Sequence, residues 1–230
     1  MKYGIIGAMD VEVNTLKSHM KGSTVTTVAG MDFCEGVLGN SDAVIVKSGV
    51  GKVNAACCVQ ILAEHFKVDA IINTGVAGSL DNQINIGDIV VSTDAIYHDV
   101  DATVFGYQPG EVPQMGVASF SADKGLREKA VEAIKNADPD INVFEGRICS
   151  GDQFISKRSV KDGIKEKFGG SCCEMEGCAI AQASYINKIP FVVIRAISDK
   201  ADESVQVSCD EFEGKAATHC AKLVEYMLEH

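Results

Sequence analysis

The sequence has no tryptophan, four prolines and only four arginines, at positions 127, 147, 158 and 195. Against 32 acidic residues the 21 cations leave a formal net charge of −11 without any Lys/Arg cluster. A polyanionic partner, whether nucleic acid or an anionic membrane, would meet general repulsion. No apolar run approaches membrane-spanning length, and the chain starts on an apolar strand without the cationic region and cleavage site of a signal peptide, so a cytoplasmic protein is expected. The nine cysteines are odd in number, include adjacent pairs at 57/58 and 172/173, and never form C-x-x-C. They read as reduced, mostly buried small hydrophobes. The five histidines show no metal-ligand spacing, and Tyr97-His98-Asp99-Val100-Asp101 reads as a loop hydrogen-bond cluster rather than a metal site. Gly4-Ile5-Ile6-Gly7-Ala8-Met9 has the wrong glycine spacing for a dinucleotide fingerprint, and a Walker-type lysine motif is missing, which argues against NAD binding and ATP hydrolysis.

What is present suits a single domain spanning 1–230, with 46% hydrophobic residues and 22 glycines spread along the chain as turn formers. Residues 228–230 resemble the start of an affinity tail and carry no functional argument. Apolar spacing predicts strand Lys2–Gly7 followed by a helix over 9–20, then strands over 23–29, 31–38 and 43–47 with a hairpin at Gly39-Asn40. A helix over 51–66 returns to a strand over 69–73 that ends at Thr74-Gly75. Further strands over 88–95, 143–149 and 191–196 alternate with helices over 123–137, 176–186 and 209–228. The stretch 97–121 reads as a long loop. The pattern predicts an α/β protein, a three-layer αβα sandwich with a central mixed β-sheet.

Five segments carry chemistry. Asp10 and Glu12 fall in the first turn of a helix, where the macrodipole favours ionised carboxylates; the bland reading is ordinary helix electrostatics. Asn73-Thr74-Gly75-Val76-Ala77-Gly78-Ser79 offers backbone N–H groups after a buried strand, or is simply a glycine-rich turn. Ser150-Gly151-Asp152-Gln153-Phe154-Ile155 repeats that arrangement with an aromatic ring suited to a flat heterocycle. Glu174 and Glu176 flank Met175 beside apolar Cys172-Cys173, and carboxylates there need partners if buried. Arg195-Ala196-Ile197-Ser198-Asp199 closes the strongly apolar strand Phe191-Val192-Val193-Ile194 with opposite charges, for which a buried salt bridge or a helix cap is the structural alternative.

Together with Lys47-Ser48-Gly49-Val50-Gly51-Lys52-Val53 and Phe105-Gly106-Tyr107, these ordered segments closely resemble the 5′-methylthioadenosine/S-adenosylhomocysteine nucleosidases of the nucleoside phosphorylase superfamily, from Lys2 to about residue 225. The resemblance implies a nucleoside phosphorylase-like fold, a homodimer, and no metal or organic cofactor. It implies hydrolysis of the N-glycosidic bond of 5′-methylthioadenosine and S-adenosylhomocysteine, and of 5′-deoxyadenosine as well, to adenine and the 5′-substituted ribose, as in methionine salvage. By that likeness Asp199, oriented by Ser198, protonates adenine N7, Glu12 takes a proton from the attacking water, and Glu176 holds the ribose hydroxyls. Ile155 reads the adenine edge, Phe154 stacks on its face, and Met9, Val50 and Met175 line the ribose and 5′ pockets. Arg195 supports the water, and Glu174 and Val76 complete the substrate-contacting set. Phe105, Tyr107 and Pro113 match positions that close the partner subunit's 5′ pocket. The sequence departs from some members at Val76, where they have serine, and at Cys209, where they have an aromatic, so the 5′-group preference stays open.

Hydrolysis is favoured over phosphorolysis because a phosphate dianion needs cations beside the sugar, whereas the first turn offers Asp10 and Glu12 and only Arg195 among the arginines lies in a site motif. The alternatives weighed are an aminodeoxyfutalosine nucleosidase, differing only in the 5′ pocket, and a non-catalytic nucleoside-binding or storage protein of the same fold.

Overall fold

The computed structural model describes residues 1–203 and 205–229, with side chains outside 205–213. Its elements run β1 (Lys2–Gly7), α1 (Asp10–His19), β2 (Lys21–Val28), β3 (Met31–Leu38), β4 (Ser41–Lys47), α2 (Lys52–Glu64), β5 (Ala70–Ser79) and β6 (Ile89–Tyr97). Then follow β7 (Phe120–Ser121), α3 (Lys124–Ala137), β8 (Val143–Ser150), α4 (Arg158–Phe168), β9 (Cys172–Glu174), α5 (Gly177–Asn187), β10 (Phe191–Asp199) and α6 (Val205–Glu229).

The strands form one mixed sheet in the order β10-β6-β8-β9-β5-β1-β4-β3-β2, and β10 also pairs with β5, so five strands close into a ring from which the others extend. Period-two alternation divides the side chains between two cores. Ile5, Ile45, Ile72, Val192 and Ile194 face α1, α3 and α6, while Ile6, Val44, Val46, Ile71 and Val193 face α2 and α5. This gives the three layers expected, with the central layer curled at one end. Strand β2 is exposed along nearly its whole length, and its Thr-rich sequence, opened by Lys21, tolerates an unpaired edge. Among the described residues, no helix is long and apolar enough to cross a membrane. Of the eight described cysteines only Cys57 is exposed, and all are free.

Local sequence explains the ends of the helices. Asp123 caps α3 by accepting from Leu126 N at 2.9 Å, and α4 stops at Gly169, whose φ of +67° is the left-handed conformation glycine adopts freely. Two elements escape the apolar pattern. The buried face of α4 is Lys161, Ile164 and Phe168, so a lysine stands where periodicity looks for a hydrophobe, and β9 is only three residues long.

One boundary is corrected. Strand β5 does not end at Thr74-Gly75 but continues to Ser79, because β10 pairs with it through Gly78 and β9 pairs at Gly78 and Ser79. Strand β1 pairs with β5 only as far as Ile6↔Asn73. The second half of β5 therefore runs on beyond β1, and its exposed flank becomes the floor of a cavity. Residues 228–229 are integrated: Leu228 is buried in the core, and Asn40 N donates to the Leu228 carbonyl at 2.9 Å.

Ile72 is fully buried in the stretch of β5 shared by the open sheet and the ring. Ile72→Ala is expected to cost about 2–5 kcal/mol, and Thr26→Ala on exposed β2 less than about 0.5 kcal/mol, in urea denaturation. Equal costs would show that the ring is no more critical than the edge.

Candidate active site

The cavity, of about 300 Å³, is lined by Ala8, Met9, Glu12 and Val50, by Val76, Ala77 and Gly78, by Gln153, Phe154 and Ile155, and by Cys173 to Glu176 with Ser198 and Asp199. Four carboxylates, Glu12, Glu174, Glu176 and Asp199, therefore line one largely apolar space.

Glu12 is the third residue of α1, and its chain turns inward while Asp10 pairs on the surface with Lys47 at 2.8 Å. Its Oε2 accepts from the backbone N–H of Ala8 at 2.6 Å and of Met9 at 3.0 Å, and its Oε1 accepts from Val76 N at 3.0 Å. Three main-chain donors from two elements thus fix the carboxylate. Space for it comes from Gly75, where a Cβ would lie 2.3 Å from Glu12 Oε1 and 2.7 Å from Arg195 Nη1. The Val76 N–H, expected to face a ligand, is spent on Glu12 instead.

Asp199 ends β10. Its Oδ1 accepts from Ala201 N at 2.7 Å and its Oδ2 from Ser198 Oγ at 2.9 Å. Burial pushes its carboxyl above the ordinary aspartate range, and the two hydrogen bonds, which favour the anion, offset this only in part. Gly78 gives clearance here, since a Cβ would lie 2.7 Å from Asp199 Oδ1.

Glu174 and Glu176 sit two residues apart in opposite environments. Burial alone would raise Glu174, but the charge of Arg195 and hydrogen bonds from Ser150 Oγ, Arg195 Nη2 and Gly177 N hold it below its usual range. Glu176 N donates to it as well, at 3.1 Å, so Glu174 caps the start of α5 and fixes the segment that carries Glu176. Glu176 itself accepts one bond, from Gly51 N at 2.8 Å. Burial first, and the neighbouring Glu174 charge second, push its carboxyl up to about 7.

Eleven of the residues anticipated from sequence meet in this cavity: Glu12, Glu176 and Asp199, with Met9, Val50, Val76, Phe154, Ile155, Glu174, Met175 and Ser198. Arg195 does not line it. The guanidinium lies inside β10, 2% exposed, behind Glu174, and its Nη2 also donates to Asn73 Oδ1 at 2.6 Å. It supports the wall rather than a ligand. Phe105, Tyr107 and Pro113 are also away from the cavity, on the 97–121 stretch, with Phe105 80% exposed. The Cys209 side chain lies outside the described residues. Reading the motifs one by one does not single out Ala8 or Cys173 as wall residues, since small apolar side chains look alike whether they face core or cavity.

The described carboxylates yield two stability predictions. Arg195→Met leaves Glu174 buried without its counter-charge and is expected to cost about 3–5 kcal/mol in urea denaturation; a loss below about 1 kcal/mol would show that the pair is dispensable. Glu176, raised from 4.5 to about 7, binds a proton in the folded chain that the unfolded chain has already released. Its contribution is present below about pH 4.5 and lost as pH rises through about 7, a change of about 3 kcal/mol. Between about pH 5 and pH 8, Glu176→Gln should therefore lose less stability than the parent, and parallel curves would contradict the raised carboxyl.

With this geometry in place, the comparisons are specific. The model of the phosphorylase superfamily matches residues 2–229. The chain is 46% identical over 225 residues to a 5′-methylthioadenosine/S-adenosylhomocysteine nucleosidase from Exiguobacterium sp., covering 97% of this chain and 96% of the relative. It is similar to the crystal structure of such a nucleosidase from Colwellia psychrerythraea in complex with adenine, with a TM-score of 0.95, 42% identity and coverage of 99% and 94% of the two chains. Futalosine hydrolase of Helicobacter pylori is also similar, with a TM-score of 0.93, 31% identity and coverage of 100% and 97%.

Proposed function

The chain belongs to the phosphorylase superfamily and, within it, to the 5′-methylthioadenosine/S-adenosylhomocysteine nucleosidases, and we propose that it uses the cavity to hydrolyse the N-glycosidic bond of these two nucleosides, releasing adenine and the 5′-substituted ribose. The observation that carries hydrolysis is the charge of the wall: Glu12, Glu176 and Asp199 all open into it, and none of its lining residues is a lysine or arginine. Phosphate would face these carboxylates with no cation in the wall beside them, whereas water can be deprotonated by one of them.

The roles follow from the environments. Asp199 holds a proton above the usual aspartate range, the state required of a donor to N7, so that adenine leaves as a neutral base. Ser198 and Ala201 N aim it. Glu12, gripped by three N–H groups, accepts the proton of the attacking water. Glu176 stands between them to take the ribose hydroxyls and, once ionised, to stabilise the oxocarbenium-like transition state. Phe154 and Ile155 flank the base. Met9, Val50, Val76 and Met175 leave the far end of the cavity apolar, suiting a thioether and also accommodating 5′-deoxyadenosine.

Val50 is 47% exposed and Phe154 61%, so the rim is only half covered by this chain. We assign the missing cover to a second copy, whose Phe105, Tyr107 and Pro113 would close the 5′ end, making a homodimer the active form. A cytoplasmic nucleosidase acting in methionine salvage fits this substrate class. The futalosine hydrolase relative shares the architecture at lower identity, and the 5′ group is where a substrate panel separates the two readings.

Incubation with 5′-methylthioadenosine is expected to release free adenine and methylthioribose at the same rate with and without phosphate. Asp199→Asn should lower this by about a hundredfold or more with an unchanged melting temperature. A phosphate requirement, or near-normal turnover of folded Asp199→Asn, would overturn the assignment.

A further inference from the structure

One buried cation has no place in the mechanism above. Lys161 projects from α4 on the same face as Ile164 and Phe168 and is only 3% exposed. Among the described residues its Nζ meets no carboxylate at ion-pair distance. It donates to the Lys200 carbonyl at 2.7 Å and approaches Asn82 Oδ1 at 3.5 Å. Burying a lysine head against neutral oxygens is costly unless the contact is used.

The Lys200 carbonyl and the Ala201 N–H belong to one peptide unit, which is planar and rigid. Lys161 holds the oxygen of that plane, and the nitrogen at its other edge donates to Asp199 Oδ1 at 2.7 Å. The plane is confined from the rest of its surroundings as well. Ala201 is fully buried with φ +51°, a left-handed conformation that an alanine adopts only when its neighbours enforce it. Gly78 packs so closely that a Cβ there would meet Asp199 Oδ1 at 2.7 Å and Ala201 Cβ at 2.9 Å. Helix α4 also grips the following residues: Arg158 Nη2 lies 3.6 Å from Asp202, and Arg158 N donates to Glu203 at 3.1 Å.

We propose that Lys161 is a positioning residue for the proton donor: by holding the Lys200 carbonyl it aims the Ala201 N–H at Asp199, and its charge reaches Asp199 through that polarised peptide. The inference rests on the reading of Asp199 as the donor to the leaving base. A cation on the carbonyl oxygen strengthens the N–H as a donor, because linked hydrogen bonds polarise one another. Among the described residues, the titratable and charged groups around Asp199 are Lys161 on α4, Asp202 on its own loop and the Cys173 thiol on β9. Lys200 turns its own Nζ away to the Ile84 carbonyl at 2.6 Å. Lys161 favours the Asp199 anion and Asp202 opposes it, so removing the lysine lets the carboxyl keep its proton to higher pH.

The test is the full chain with Lys161→Met, which keeps the length and loses the donor, beside Lys161→Arg, which keeps both donor and charge. Protein labelled with ¹³C-aspartate is titrated, the Asp199 carboxyl being identified by its loss in Asp199→Asn. In Lys161→Met that carboxyl should titrate higher by about half a pH unit or more, the alkaline limb of adenine release from 5′-methylthioadenosine should move up with it, and Lys161→Arg should restore both. Glu176 has no contact with Lys161, so a shift of the limb in step with the aspartate signal reports Asp199. An unmoved Asp199 signal overturns the inference, as does a rate that falls equally at every pH while melting temperature drops. If Lys161→Met does not fold, Lys161→Gln, a neutral donor, takes its place under the same criteria. Wild-type protein that releases no adenine would remove the nucleosidase reading while the carbon signal still decides the role of Lys161.

Discussion

The site depends on a single buried ion pair. Arg195 lies within a fully buried strand, where an unpaired guanidinium could not remain, and Glu174 lies on a three-residue strand that could not hold an isolated carboxylate. Each makes the other possible. Once paired, Glu174 still has oxygen lone pairs to satisfy, and it satisfies them with the N–H groups that open α5 and with Ser150 Oγ at the end of β8. Arg195 reaches across to Asn73, which in turn donates to the Ile6 carbonyl of β1 at 2.9 Å. One pair thereby joins β1, β5, β8, β9, β10 and α5, the elements whose ends form the cavity wall.

From this shared frame the carboxylates acquire different characters. Glu174 is neutralised by its arginine and becomes scaffold. Glu176, buried, beside that negative charge and with one N–H for company, is raised to about 7. Asp199 is raised by burial and steadied by its own loop, while Glu12 is gripped by main chain from the turn between β1 and α1 and from β5. The same side-chain chemistry thus takes on four electrostatic characters, according to how many donors each carboxylate receives and whose charge it faces, and the proposed roles of clamp, acid and base rest on that division.

Much of this was legible in the sequence. The strands Lys2–Gly7 and Met31–Leu38 are marked by apolar runs and a hairpin turn, and the layers follow from the alternation of strand and helix patterns. Glu12 in a helix's first turn, Glu176 in a paired-carboxylate segment and Asp199 at the end of an apolar strand are each visible in the sequence, but each has a bland reading alone, and the family resemblance is what joins them. What could not be read was direction and company. Arg195 belongs to a site motif in the chain yet points behind the wall, because spacing does not reveal which carboxylate claims a buried cation. Strand β5 hides its second half behind glycines that normally signal a turn, and here they are small so that Glu12 and Asp199 can approach. Helix α4 is masked by Lys161, a charged residue in a position that packing reserves for a hydrophobe.

The bond from Val76 N to Glu12 has a consequence for how such a site can diversify. Glu12 is oriented by an amide that every residue except proline carries, so the side chain at 76 makes no contribution to aiming it. Yet that side chain lines the cavity. The position can therefore drift among small polar and apolar residues, changing which nucleosides are welcome, while the hydrolytic apparatus is inherited intact.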